Sequence, residues 1–314
     1  MPGGTRSLRA AAATLVASLA AAASCSPAAS ARPGARPSPA RPAADQLAPF
    51  RGVGGWLDIY DSPTLWDNAQ ATVASLAADG VSTLYVETAN YRQPPSRLIV
   101  RAPQLAALID AAHAGGLSVV GWYLPGLVNT GLDLERARAA LSLTTPAGGR
   151  LDGFALDIES SLLASISMRN AAVAGLSRQV RSLAGDGYPL GAIVPDDRST
   201  MLGGLWPEFP YSSLAPSFDA FLPMAYSTHR TRGAAGVYAY TLRNIRRVRQ
   251  LTGEPHLPIH VIGGLANGLS PAEVRAVLTA ARRARAVGAS FYNFAASRPD
   301  EWAALHQFAT PAVR

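Results

Sequence analysis

Asp157 and Glu159 stand two residues apart in the stretch Leu151-Asp152-Gly153-Phe154-Ala155-Leu156-Asp157-Ile158-Glu159-Ser160. Phe154, Leu156 and Ile158 alternate with Ala155, Asp157 and Glu159, which is the period of a β-strand. One face is apolar, and the other ends in two carboxylates. A strand covered on both sides normally carries apolar residues on both, so paired acids at the end of its inner face break a local rule in the way functional sites do. The plain alternative is a solvated strand end with a capping Asp. Burial and a like charge both raise a carboxyl pKa, which lets a Glu keep its proton near neutral pH. Glu159 is therefore the expected general acid, with Asp157 as its like-charged neighbour. Asp58, Asp61, Glu87, Asp196 and Asp197 are candidates for a second carboxylate acting as nucleophile or base.

Composition removes several other chemistries. All 28 basic residues are Arg, so no lysine is present to form a Schiff base with a substrate or with pyridoxal phosphate. The lone cysteine, Cys25, excludes an internal disulfide framework and a multi-cysteine metal or iron–sulfur site. Among the five histidines, His256 and His260 straddle a strand start instead of sharing a helical face. No metal and no cofactor are expected. Carboxylate chemistry with aromatic walls is what survives. Trp56, Tyr60, Tyr91, Trp122, Tyr123, Trp206, Tyr226 and Tyr292 are the aromatic candidates, although large aromatic side chains also build cores. Trp206, in the long segment after the fifth strand, is the strongest candidate for a sugar platform.

The elements that must position these residues alternate as strand then helix, eight times. Strands are expected at 53–59, 81–87, 117–124, 151–160, 190–194, 220–226, 259–263 and 289–294. Ser62-Pro63 and the capping box Ser270-Pro271-Ala272-Glu273 open helices, the first continuing to about Asp79. Gly80 and Gly115-Gly116 stop others. Strict alternation makes a parallel sheet nearly obligatory, and eight units favour closure into a (β/α)8 barrel. No glycine-rich dinucleotide fingerprint follows the first strand. In such a barrel the site lies at the C-terminal strand ends, where Asp58, Asp61, Glu87, Asp157, Glu159, Asp196, Asp197, Tyr226 and Asn293 collect.

The barrel is expected over 50–314. Residues 1–25 read as a secretory signal: a basic start, a short apolar run from Ala10 to Ala23, and small residues before Cys25. Ala22-Ala23-Ser24-Cys25 resembles a bacterial lipobox, which implies lipid modification at Cys25 and an exported protein held on the outer face of the membrane. Residues 26–49, rich in Pro, Ala, Ser and Arg, read as a disordered tether. The net charge of +7 comes partly from this leader and partly from arginine runs such as Arg243, Arg246 and Arg247 on outer helix faces. Basic and aromatic residues are not interleaved on one surface, so no nucleic-acid partner is expected. The chain is expected to be monomeric.

At strand four the sequence resembles glycoside hydrolases of family 18, the chitinase-like barrels, whose signature is Asp-x-x-Asp-x-Asp-x-Glu. Asp152, Asp157 and Glu159 match it, and Ala155 replaces the second Asp. Met224-Ala225-Tyr226 resembles the family's strand-six Met-x-Tyr. The resemblance implies that Glu159 is the acid, that Asp157 orients the acetamido group of the sugar, and that Tyr226 contacts that group. Strand eight carries Tyr292 and Phe294 where the family has a Trp. The Asp-x-Glu pair is also similar to the family 25 lysozyme-like barrels, and the region from Phe50 onward resembles an uncharacterised group of actinobacterial secreted proteins with a glycosidase-type barrel. With Ala155 the support for Asp157 is absent, which favours a two-carboxylate mechanism, or none, over acetamido assistance. The expected partner is a glycan, with Asp58, Glu87, Trp122, Asp196, Asp197, Trp206 and Asn293 as candidate substrate contacts. The chain is then a glycoside hydrolase acting on a cell-envelope or environmental polysaccharide, or alternatively a carbohydrate-binding barrel without turnover or an envelope scaffold.

Overall fold

The computed structural model describes residues 46–309. The expected signal segment, Cys25 and nearly all of the tether lie outside the described residues. Eight strands form one parallel sheet: β1 Gly52–Leu57, β2 Thr83–Asn90, β3 Ser118–Leu124, β4 Gly153–Asp157, β5 Leu190–Val194, β6 Ala220–Pro223, β7 His260–Leu265 and β8 Gly288–Tyr292. Each pairs with its sequence neighbour from β1 to β6, β1 also pairs with β8, and β8 pairs with β7. Two isolated parallel bridges, Phe221 to Ile259 and Met224 to Ile262, join β6 to β7 and close the ring. The architecture is a (β/α)8 barrel.

The helices run antiparallel to the strands on the outside. They are α1 Pro63–Asp67, α2 Ala69–Ala78, α3 Ala102–Ala114, α4 Thr130–Ser142, α5 Ile166–Ala184, α6 Tyr211–Leu214, α7 Ala234–Thr252, α8 Pro271–Arg283 and α9 Pro299–Ala309. Their starts follow local chemistry. Ser62, Asn129 and Ser165 each accept a hydrogen bond from a first-turn backbone N–H, and Ser270 with Glu273 forms the full capping box. The expected single helix after Ser62 is instead two, broken at Asn68, whose backbone leaves the helical region and whose side chain donates to Thr64 O at 3.0 Å. Arg243, Arg246, Arg247, Arg282, Arg283 and Arg285 are exposed, as expected of outer faces.

Two apolar layers hold the barrel. The larger lies between strands and helices and takes Phe154, Leu156 and Ile158 from the strand-four stretch. The smaller fills the barrel itself and includes Trp56, Tyr85, Val120, Trp122 and Ala155. Leu47 and Phe50 join this inner layer at 4% and 0% exposure, so tight packing begins slightly before the expected boundary at residue 50. Trp56 stacks on Tyr85 with ring centroids 4.3 Å apart and an interplanar angle of 11°. Gly54 makes room for that stack, since a Cβ there would meet the Tyr85 ring at 2.6 Å.

Candidate active site

Asp157 is the last residue of β4 and points into the barrel, buried, in register with Ile193 of β5. Ile158 N donates to Ile193 O at 2.9 Å, so the backbone stays sheet-like for one more residue before turning. Glu159 follows beyond the strand end and reaches solvent. β4 is thus shorter than the expected 151–160, and the two acids differ in depth. They share a cavity of roughly 270 Å³ at the C-terminal end of the barrel with Glu87 of β2. Its walls include Trp56, Trp122, Tyr226 and Tyr292, and Arg92 lies at its edge. A second cavity of roughly 130 Å³ adjoins it, sharing Glu159, Met224 and Tyr226 and adding Asp196, His229 and Arg230.

Burial governs the protonation of all three acids. Asp157 is raised well above the usual carboxylate range, first by burial and then by the charges of Glu159 and Glu87. Glu159 is raised by the desolvating walls, while the Arg92 guanidinium pulls it back. The like-charge effect expected on Glu159 therefore falls chiefly on the deeper Asp157. Glu87 is pushed up to about 7 by burial, against hydrogen bonds that it accepts from Ile59 N at 3.0 Å and Asn90 Nδ2 at 2.9 Å. The Tyr226 hydroxyl is held neutral by burial and by the nearby carboxylates. Asp157 Oδ1 and Trp122 Nε1 are both buried without a hydrogen-bond partner in the protein. Unpaired polar atoms on a cavity wall are costly in an isolated core and point to a site that meets polar ligands.

Five of the expected substrate contacts do not line this cleft. Asp58 accepts from Tyr60 N at 2.6 Å, from Asp61 N at 2.9 Å and from the Tyr292 hydroxyl. Asn293 donates to Asp61 Oδ1 at 2.7 Å. Together these residues hold Tyr292 against the cleft from behind. Asp197 pairs with Arg243 on α7 at 2.7 Å, outside the cleft. Trp206 is fully buried: its indole donates to Asn170 Oδ1 at 2.7 Å, and the Arg169 guanidinium lies 4.7 Å from its ring centroid. It packs the segment after β5 onto α5 and offers no face to a sugar. Asp196 borders the smaller cavity, but its carboxylate is occupied by Arg230 Nε at 2.8 Å, Ser199 N at 2.9 Å and the Tyr240 hydroxyl, which hold it below the usual range despite burial.

Glu87 and Trp122 do line the cleft. Met224 of the Met-x-Tyr stretch also lines it, as do Arg92, Asn90 and Leu265, which were not singled out from the sequence. A polar cluster just past the expected end of the second strand at residue 87 was the available signal for Asn90 and Arg92. Among the described residues no group of His, Cys, Asp or Glu is arranged to hold a metal ion, and no helix is long and apolar enough to cross a membrane.

No family model matches the chain, and no curated protein sequence does. Solved structures match it in fold. The spore cortex-lytic enzyme SleL of Bacillus cereus aligns at a TM-score of 0.59 and 10% identity, over 83% of this chain and 74% of that one. A chitinase from Chromobacterium violaceum gives 0.57 and 11%, over 83% and 100%. A glycoside hydrolase family 18 N-acetylglucosaminidase from Paenibacillus barengoltzii gives 0.53 and 12%, over 82% and 99%. At these identities the likeness is one of fold: the chain shares the (β/α)8 barrel that these glycoside hydrolases have.

Proposed function

We propose that the protein is a glycoside hydrolase whose general acid is Glu159. One observation carries this reading: three carboxyls with raised pKa, Glu87, Asp157 and Glu159, line a single aromatic-walled cleft at the C-terminal end of the barrel. Glu159, the most accessible of them, donates its proton to the glycosidic oxygen as the bond to the anomeric carbon breaks; water then adds to that carbon, and the proton it releases restores the acid. Asp58, Asp61, Asp196 and Asp197 are committed to internal hydrogen bonds. Of the other two cleft carboxyls, Glu87, pushed up to about 7, ionises near neutral pH and is the one available to stabilise the positive charge developing on the sugar, while burial keeps Asp157 neutral. Ala155 is buried in the barrel interior and offers Asp157 no polar support from below, which favours this carboxylate route over acetamido assistance. Tyr226 and Trp122 flank the reacting sugar, and Tyr292 and Trp56 complete the walls.

The leader adds export and a lipid anchor at Cys25 to the proposal, placing the barrel on the outer membrane face near envelope glycans. Mass spectrometry of the mature N-terminus tests the anchor: an unmodified start beyond Cys25 would overturn it. Incubation of the purified protein with labelled peptidoglycan, chitin and arabinogalactan fragments tests the activity. Release of new reducing ends from one of them, lost in Glu159→Gln, is the expected result. Glycan binding with no cleavage of any fragment would instead favour a carbohydrate-binding barrel.

A further inference from the structure

Arg92 lies just beyond β2, exposed at the edge of the main cleft. Its Nε donates to the Tyr91 hydroxyl at 3.1 Å, and the guanidinium carbon sits 5.4 Å from the Tyr91 ring centroid. The Tyr60 hydroxyl also faces it. Two phenols thus steady the side chain without neutralising it. Arg181, Arg230, Arg243 and Arg298 are each paired with an aspartate at 2.7 to 3.1 Å. Among the described residues, no such ion pair within 4.0 Å involves Arg92.

This placement works against the acid. A cation near Glu159 favours its ionised form, whereas a general acid must keep its proton. An arginine fork matches a carboxylate, so a ligand carboxylate at Arg92 would turn that liability into binding. The remaining cleft charge permits it, because burial favours the neutral forms of Asp157 and Glu87. We propose that Arg92 recognises a carboxylate on the bound glycan, so that the substrate is an acidic glycan carrying a lactyl ether or a uronic acid. The inference rests on the glycan reading of the cleft and names its substrate class.

The test is calorimetric titration of the full chain in a Glu159→Gln background, so that no ligand is consumed. Four tetrasaccharides are compared: chitotetraose, the same β-1,4 backbone with lactyl ethers on alternate sugars, its lactyl-amidated form, and a uronate oligomer. The lactyl carboxylate should tighten binding about tenfold over chitotetraose, as one charge-assisted contact would. That gain should vanish on amidation, shrink with added salt, disappear in Arg92→Gln and return in part in Arg92→Lys. The uronate arm shows which carboxylate geometry the site accepts. Equal affinity for all four, or an acid preference that survives Arg92→Gln, would overturn the inference alone. Failure of every arm to bind would overturn the glycan reading and the inference with it. Arg92 is exposed, so its variants should keep the wild-type melting temperature.

Discussion

The indole Nε1 of Trp56 donates to Ser290 Oγ at 2.8 Å, tying a cleft wall on β1 to the neighbouring strand β8 inside the barrel. Behind this contact, His260 Nε2 lies 2.9 Å from Ser290 Oγ, and His260 Nδ1 lies 3.0 Å from Phe50 O. The carbonyl requires a proton on Nδ1, so Nε2 accepts from Ser290, whose oxygen accepts from Trp56. One chain of hydrogen bonds thus links the barrel floor to the cleft.

His260 gives the first prediction. Full burial pushes its pKa down to about 4 from 6.5. On unfolding it takes up a proton between those values, so its contribution to stability is full above about pH 6.5 and falls as pH drops toward 4. The loss should be about 3 kcal/mol across that window. Denaturant melts at several pH values should show a flatter acid slope for His260→Gln than for wild type; an unchanged slope would contradict the assignment.

Glu87 should act in the opposite sense. Its folded pKa of about 7 lies above the 4.5 of a free glutamate side chain, so its favourable contribution holds below pH 4.5 and is lost as pH rises through 7. Glu87→Gln should therefore gain stability relative to wild type between pH 5 and 8, by about 3 kcal/mol at the top of that range. The loss of one accepted hydrogen bond lowers its stability at every pH alike, so the relative slope is the signature to measure.

Glu159→Gln should keep the fold and glycan binding but lose about 10²- to 10⁴-fold in turnover of unactivated substrates. A substrate with a good leaving group needs little protonation and should be rescued in bond cleavage. Equal losses on both substrates would argue against Glu159 as the acid. Burial keeps Asp157 neutral, and the walls and Arg92 set Glu159 instead, so Asp157→Asn should leave the alkaline limb of the pH–rate profile in place.

Trp122 and Trp206 should separate binding from packing. Trp206→Ala empties a fully buried site and should cost about 3–5 kcal/mol of stability, with little change in glycan affinity in the protein that remains folded. Trp122→Ala removes a cleft wall and should weaken glycan binding as well. Affinity titrations beside denaturant melts would distinguish the two.

Much of this was legible in the sequence, because it depends on spacing within a few residues. Strand and helix periods, the caps at Ser62 and Ser270, and the inward direction of Ala155 and Asp157 are local properties, and eight βα repeats leave few ways to close a sheet. Only the tertiary structure decided which polar groups meet. Asp196 and Asp197 sit at a strand end like Asp157, yet Arg230 and Arg243, more than thirty positions along the chain, claim them. Trp206 reads as a loop aromatic until α5 packs over it, and Arg92 becomes a cleft residue only because β2 and β4 end at the same rim. These outcomes turn on contacts between residues far apart in sequence. Strand register and the docking of loops set such contacts, and no local pattern of residue types encodes them.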